Sequence, residues 1–202
     1  YTRVVDTAES KDNINKAYNL ISTSKVRNEM IIDDVITCVA RKQTPVILTR
    51  FKEHAKFLHD ALKEKADHVF LLYGDNSDKE NAEIRVKLKQ IPENESLILV
   101  ATGQKIGEGF DFPRLDVLML AAPVSFEGRL EQYVGRLNRD YVGKEAVYVY
   151  DYIDSHVRYF DKMYAKRLRT YRKMGFSIWT QELQPKQIIN AIFDSVNYTE
   201  KF

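Results

Sequence analysis

Two arginines three residues apart, Arg136 and Arg139, are the groups in this sequence best suited to phosphate chemistry. They stand in the run Gln132-Tyr133-Val134-Gly135-Arg136-Leu137-Asn138-Arg139. Positions three apart on a helix share a face, and glycine at 135 lets a second backbone come close. A guanidinium is always charged and offers a planar fork of donors that matches phosphate oxygens. Two such forks across a cleft would stabilise charge on a transferred phosphoryl group. The same spacing also suits two surface arginines paired with Glu131 or Asp140, which contribute little energy.

A second run, Val100-Ala101-Thr102-Gly103-Gln104-Lys105-Ile106-Gly107-Glu108-Gly109-Phe110-Asp111-Phe112-Pro113, has the form of a strand end followed by a glycine-punctuated turn. Backbone N–H groups exposed at such a turn, with the Thr102 hydroxyl, can hold a phosphate. Asp111, fixed between Gly109 and Pro113, can accept from a ribose hydroxyl or orient water. A plain glycine-rich loop has the same composition.

A parallel sheet is the element that would position both runs. Short apolar segments at 45–49, 68–73, 97–101, 115–121 and 146–150 read as buried strands. Helical stretches at 52–66, 78–90 and 127–137 alternate with them, which implies βαβ crossovers and a sheet covered on both faces. Ligands then bind beyond the carboxyl ends of the strands. The 1–43 segment reads as helical, with Ser24 as a cap and Cys38 on a buried or half-buried face. A last long helix carries Arg158, Lys162, Lys166, Arg169 and Lys173 at helical spacing and ends near Gly175. Its basic stripe suits either nucleic-acid backbone or a solvated face. Tyr159, Met163 and Leu168 are its candidate core residues, Trp179 a candidate anchor for the terminal segment, and 181–202 a small terminal helix.

In combination these runs resemble the C-terminal half of superfamily 2 helicases. Ala101-Thr102-Gly103 with Glu108-Gly109-Phe110-Asp111 is similar to motif V, and Gln132-x-x-Gly135-Arg136-x-x-Arg139 to motif VI. The strand ending in Thr49-Arg50 resembles motif IV, and Tyr73-Gly74 the strand-end glycine between motifs IV and V. The likeness covers 44–151 strongly and fades towards Trp179. Within the superfamily it is nearest bacterial relatives of the XPB/Ssl2 helicases and type III restriction-enzyme motor subunits.

The resemblance implies an α/β, three-layer RecA-like domain with a mainly parallel sheet and helical extensions at both ends, divided as 1–43, 44–152 and 153–202. It implies that Arg139 is the arginine finger, that Arg136 approaches the ATP phosphates, and that Gln132, Gly109 and Asp111 face the nucleotide. Thr49, Arg50, Gly74, Thr102 and Gly103 would meet one nucleic-acid strand, DNA rather than RNA. One position departs from the pattern, because Gly103 stands where many superfamily members carry Asp.

The phosphate-binding half of such a motor is not in the sequence. No Gly-x-x-x-x-Gly-Lys-[Ser/Thr] loop occurs, and Val142-Gly143-Lys144-Glu145 lacks the first glycine and the hydroxyl residue. Nor does an Asp-Glu-x-x box for Mg²⁺ follow an apolar strand. The first RecA-like domain of the same polypeptide is therefore expected before Tyr1, with ATP and Mg²⁺ bound jointly, and this chain alone is expected to be inactive. The competing reading is a non-catalytic RecA-like scaffold or interaction module. A small-molecule α/β enzyme is disfavoured, since neither a full Gly-x-Gly-x-x-Gly nor a nucleophile elbow is present.

Composition sets the remaining bounds. With 202 residues, 44% hydrophobic and 30% charged, the chain can bury a sizeable core. A net charge of +2 gives no global bias towards polyanions, so any nucleic-acid surface must come from local clustering. One cysteine excludes an internal disulfide and fits a reducing, cytoplasmic compartment, which the resemblance implies is bacterial. No apolar run spans a bilayer and no membrane contact is expected. His54, His59, His68 and His156 lack metal-site spacing. Asp151 and Asp154 read as structural or capping residues.

Overall fold

The computed structural model describes residues 14–74, 77–103, 111–124, 127–155 and 157–180. Five strands, β1 (Pro45–Thr49), β2 (His68–Leu72), β3 (Leu97–Thr102), β4 (Val117–Leu120) and β5 (Tyr148–Asp151), form one sheet in the order β2-β3-β1-β4-β5. Every pairing is parallel. The helices are α1 (Ile14–Thr23), α2 (Lys25–Ala40), α3 (Lys52–Leu62), α4 (Asp78–Gln90), α5 (Glu127–Leu137) and α6 (Arg158–Lys173). The expected α/β class and parallel sheet are both present.

Alternation of side chains along the strands builds two cores. Val46, Leu48, Leu99, Ala101, Leu118 and Leu120 face Leu88 of α4, Leu130, Tyr133, Val134 and Leu137 of α5, and Tyr171 of α6. Ile47, Ile98, Val100, Val117 and Met119 face Ile31, Val35 and Cys38 of α2 and Ala55, Leu58 and Leu62 of α3. The three central strands are therefore apolar on both faces, which is why they read as unbroken apolar runs rather than alternating ones. A third cluster joins Ala17, Tyr18 and Ile21 of α1 to Phe160 and Met163 of α6.

Local chemistry fixes the helix ends. Ser24 caps α2 by accepting from the Arg27 N–H at 3.4 Å. Ser77 and Glu80 form a reciprocal capping box on α4, with Glu80 N to Ser77 Oγ at 3.2 Å and Ser77 N to Glu80 Oε2 at 2.7 Å. At the end of α6, Gly175 adopts φ +80°. Phe176 N then reaches Tyr171 O at 3.0 Å and Gly175 N reaches Arg172 O at 3.1 Å, a Schellman closure with the Tyr171 and Phe176 rings packed at 5.9 Å.

Several expectations change in detail. Helix α5 stops at Leu137, so Arg139 lies just beyond it rather than on the same helical face as Arg136. Tyr159 is 48% exposed, and Phe160, Met163, Arg167, Thr170 and Tyr171 form the buried side of α6 instead. Trp179 is 89% exposed, and the terminal segment it was expected to anchor lies outside the described residues. The small terminal helix, His156 and Gly109 lie outside the described residues.

Candidate nucleotide and strand site

The carboxyl ends of β1, β3 and β4 form one edge. Parallel register sets Thr49 of β1 directly beside Thr102 of β3, so the residues resembling motifs IV and V are brought together by pairing alone. Gly74, exposed after β2, stands at the sheet's outer side with β3 between it and β1. Gln132 is exposed on α5, Arg136 is half-buried in its last turn, and Thr102 and Gly103 are half-buried at the edge. Arg139 and Asp111 meet, with Nε 3.3 Å from Oδ1 and side chains 56% and 53% exposed. The carboxylate orients the guanidinium and leaves it accessible from solvent. Of the alternative partners, Glu131 accepts from Lys173 at 2.9 Å.

Thr49 is only 4% exposed and its hydroxyl is committed inward. The Asn28 amide donates to Ser22 O at 2.9 Å, so Asn28 Oδ1 is left to accept from His54 Nε2 at 2.9 Å. That fixes the proton on Nε2, and Nδ1 accepts from the Thr49 hydroxyl at 2.7 Å. Burial, then the nearby Arg27 charge, push the His54 pKa down to about 3, so the ring is neutral. The Thr49 side chain therefore shapes the edge from within. Arg50 carries the exposed charge there, its guanidinium 4.5 Å over the Tyr18 ring, while Tyr18 Oη donates to Pro123 O at 2.8 Å.

Two buried arginines hold the segment after β4. Arg27 and Asp154 pair with both side chains at 0% exposure, and Arg27 Nη1 donates to Ala121 O at 2.6 Å. Arg167 grips Asp151 through Nε at 2.7 Å and Nη2 at 2.8 Å, and donates to Val124 O at 2.9 Å. Tyr171 Oη donates to the same carboxylate at 2.9 Å. Asp151 and Asp154 thus have the structural role expected of them. Neither arginine stood out in the sequence. The available signal for Arg27 was its place on the stripe with Ile31, Val35 and Cys38, where an arginine needs a buried partner.

Tyr133 and Lys144 are the other residues the sequence did not flag. Tyr133, 2% exposed, donates to Gly103 O at 2.7 Å. A Cβ at position 103 would lie 2.8 Å from its oxygen, so glycine stands there because the tyrosine fills the space. Lys144 Nζ donates to Pro113 O at 2.8 Å, to Arg139 O at 3.1 Å and to Leu137 O. Burial lowers its pKa, partly opposed by Asp116 and Asp140.

The outward donor set is cationic, which fits phosphate oxygens. Among the described residues no group of three or more His, Cys, Asp or Glu could hold a metal ion, and no helix is long and apolar enough to cross a membrane.

Comparison with solved structures places this architecture. The chain superposes on T4 UvsW with a TM-score of 0.64 at 22% identity, covering 85% of this chain and 36% of that one. It superposes on domain 2 of the Mss116p DEAD-box helicase bound to an RNA duplex with a TM-score of 0.58 at 17% identity, covering 85% and 66%. The fold is RecA-like. No family model matches the chain. Among curated proteins it is 32% identical over 120 residues to the transcript termination protein A18 of Yaba-like disease virus, covering 58% of this chain and 24% of that protein. It is 33% identical over 118 residues to the putative helicase 161L of Invertebrate iridescent virus 6, covering 57% and 22%. The chain thus spans about a quarter of these relatives. They are viral, which overturns the expectation of a bacterial, cytoplasmic source.

Proposed function

We propose that this chain is the second motor domain of an ATP-dependent nucleic-acid helicase or translocase, supplying an arginine finger and part of the strand-binding surface. The observation that carries the reading is Arg139 held beside Asp111, yet exposed, just beyond the C-terminus of α5 in a RecA-like fold. ATP would supply the phosphoryl group transferred to water, with Mg²⁺ held by a first RecA-like domain of the same polypeptide. In this reading Arg139 and Arg136 place donors where negative charge grows on the phosphoryl oxygens. Asp111 holds Arg139 in register, and Gln132 and Gly109 border the nucleotide. Arg50 neutralises a backbone phosphate, while Thr102, Gly103 and Gly74 line the path of the strand and Thr49 shapes it from beneath.

The names of the two viral relatives, a transcript termination protein and a putative helicase, are consistent with a nucleic-acid motor. The test is ATP turnover by the full natural protein carrying this chain, with single- and double-stranded DNA and with RNA, for wild type and Arg139→Ala. Stimulation by nucleic acid that is lost in a folded Arg139→Ala variant supports the motor. An unstimulated protein, or an indifferent Arg139→Ala, favours a RecA-like scaffold.

A further inference from the structure

We propose that Tyr133 and Lys144 are positioning residues that clamp the two ends of the loop joining β3 to β4 onto the arginine-bearing helix, so that strand engagement and arginine placement change together. This inference rests on the motor-domain reading above. The chain leaves β3 at Gly103 and returns through Asp111, Phe112 and Pro113. At the departing end, the Tyr133 hydroxyl donates to Gly103 O at 2.7 Å. At the returning end, Lys144 Nζ donates to Pro113 O at 2.8 Å. Both donors belong to α5 or to the segment that leaves it.

The geometry of each tie explains its grip. Tyr133 is buried among Leu130, Val134 and Leu137 on the core side of α5, so its hydroxyl cannot follow a moving loop unless the helix moves too. Arg136 is one helical turn further along that helix. Lys144 binds Pro113 with the same ammonium that caps the Leu137 and Arg139 carbonyls. A cation at those carbonyls also satisfies the negative end of α5. Gly143, at φ +80°, makes the turn that aims Lys144 back at the helix, with Lys144 N bonded to Tyr141 O at 3.1 Å. The backbone of Arg139 is thereby fixed to the backbone of Pro113, two residues from Asp111, the carboxylate that Arg139 itself contacts. Loop and arginines are joined by three separate contacts, two of them made by residues that need touch neither nucleotide nor strand.

The test uses the full natural protein that carries this chain. ATP turnover is measured with and without a saturating oligonucleotide for wild type, Arg139→Ala, Tyr133→Phe, Lys144→Met and Lys144→Arg. The readout is the ratio of stimulated to basal turnover, which does not depend on how much protein is folded. The ratio is expected to fall about fivefold in Tyr133→Phe and in Lys144→Met, the factor that one hydrogen bond of coupling represents. Oligonucleotide affinity should stay at the wild-type value, and Lys144→Arg, which keeps a donor cation, should recover part of the ratio. If wild type is stimulated and Arg139→Ala is inactive while Tyr133→Phe and Lys144→Met keep the wild-type ratio, the two ties are structural only; the inference is overturned and the motor reading stands. If wild type is not stimulated, or Arg139→Ala turns over normally, the motor reading fails and takes the inference with it.

Discussion

Substituting Gly103 by alanine tests how the loop end and α5 fit together. The added Cβ would sit 2.8 Å from Tyr133 Oη, with the ring carbon bearing that oxygen 3.7 Å away. The first distance is a clash and the second an ordinary contact. Tyr133 is 2% exposed within a packed cluster, so its ring cannot swing aside without cost. Over-packing of this kind costs about 1–3 kcal/mol, and loss of the Tyr133–Gly103 hydrogen bond adds about 1 kcal/mol. Gly103→Ala should therefore destabilise the fold by about 2–4 kcal/mol, seen as a lower urea midpoint at unchanged slope. In a Tyr133→Phe background the oxygen is gone and only the 3.7 Å contact remains. There the same substitution should cost less than about 0.5 kcal/mol. A double-mutant cycle on the four proteins measures the difference. Additive effects, with alanine equally costly beside tyrosine and phenylalanine, would refute the claim that Tyr133 dictates glycine at 103.

Three other outcomes follow from named contacts. Arg27→Met strands the buried Asp154 carboxylate and the Ala121 carbonyl, and should cost about 3–5 kcal/mol; Arg27→Met with Asp154→Leu should recover most of that loss in the same urea titration. His54 is held neutral by burial, with its pKa pushed down to about 3. Below pH 6.5 the unfolded chain takes up a proton that folded His54 refuses, so stability is full above that pH and declines as pH falls towards 3; the urea midpoint of His54→Gln should fall less steeply across this window. If Arg50 neutralises one phosphate, Arg50→Ala in the full protein should reduce the slope of log affinity against log salt by about 0.7–0.9, read from fluorescence anisotropy at several salt concentrations.

The fold was legible because its signals are local and repeated. Pro45-Val46-Ile47-Leu48-Thr49 is apolar throughout, and only a strand buried on both faces has that need. Asp78–Gln90 follows a Ser-x-x-Glu box whose hydrogen bonds the structure shows, and its bounds match the expectation. Boundaries slipped where side chains outside the repeating pattern decide them. Leu115 and Asp116 extend the apolar reading of β4, yet Asp116 accepts from Thr44 N at 2.7 Å and the strand begins at Val117.

At the site, residue types were readable and partners were not. Arg139 and Asp111 each carried a signal, but their 3.3 Å contact depends on a return of the chain that no spacing encodes. Thr49 was readable as a hydroxyl at a strand end, but not that His54, five residues on, takes that hydroxyl. Arg27 and Asp154 are 127 residues apart, and Arg167 reads as one more charge in a basic helix until Asp151 is placed beside it. Gly103 appeared as a departure from a pattern, and only Tyr133, thirty residues on, gives the physical reason for it.

In the proposed motor Arg139 acts on the phosphoryl group being transferred, and trapping that state tests its role. The full natural protein is incubated with ADP, Mg²⁺, aluminium fluoride and nucleic acid, and retention of labelled ADP is compared between wild type and Arg139→Ala. Both proteins should bind ADP alone equally, while only wild type should hold it in the fluoride-trapped state. Equal trapping by Arg139→Ala would show that Arg139 does not act on that group.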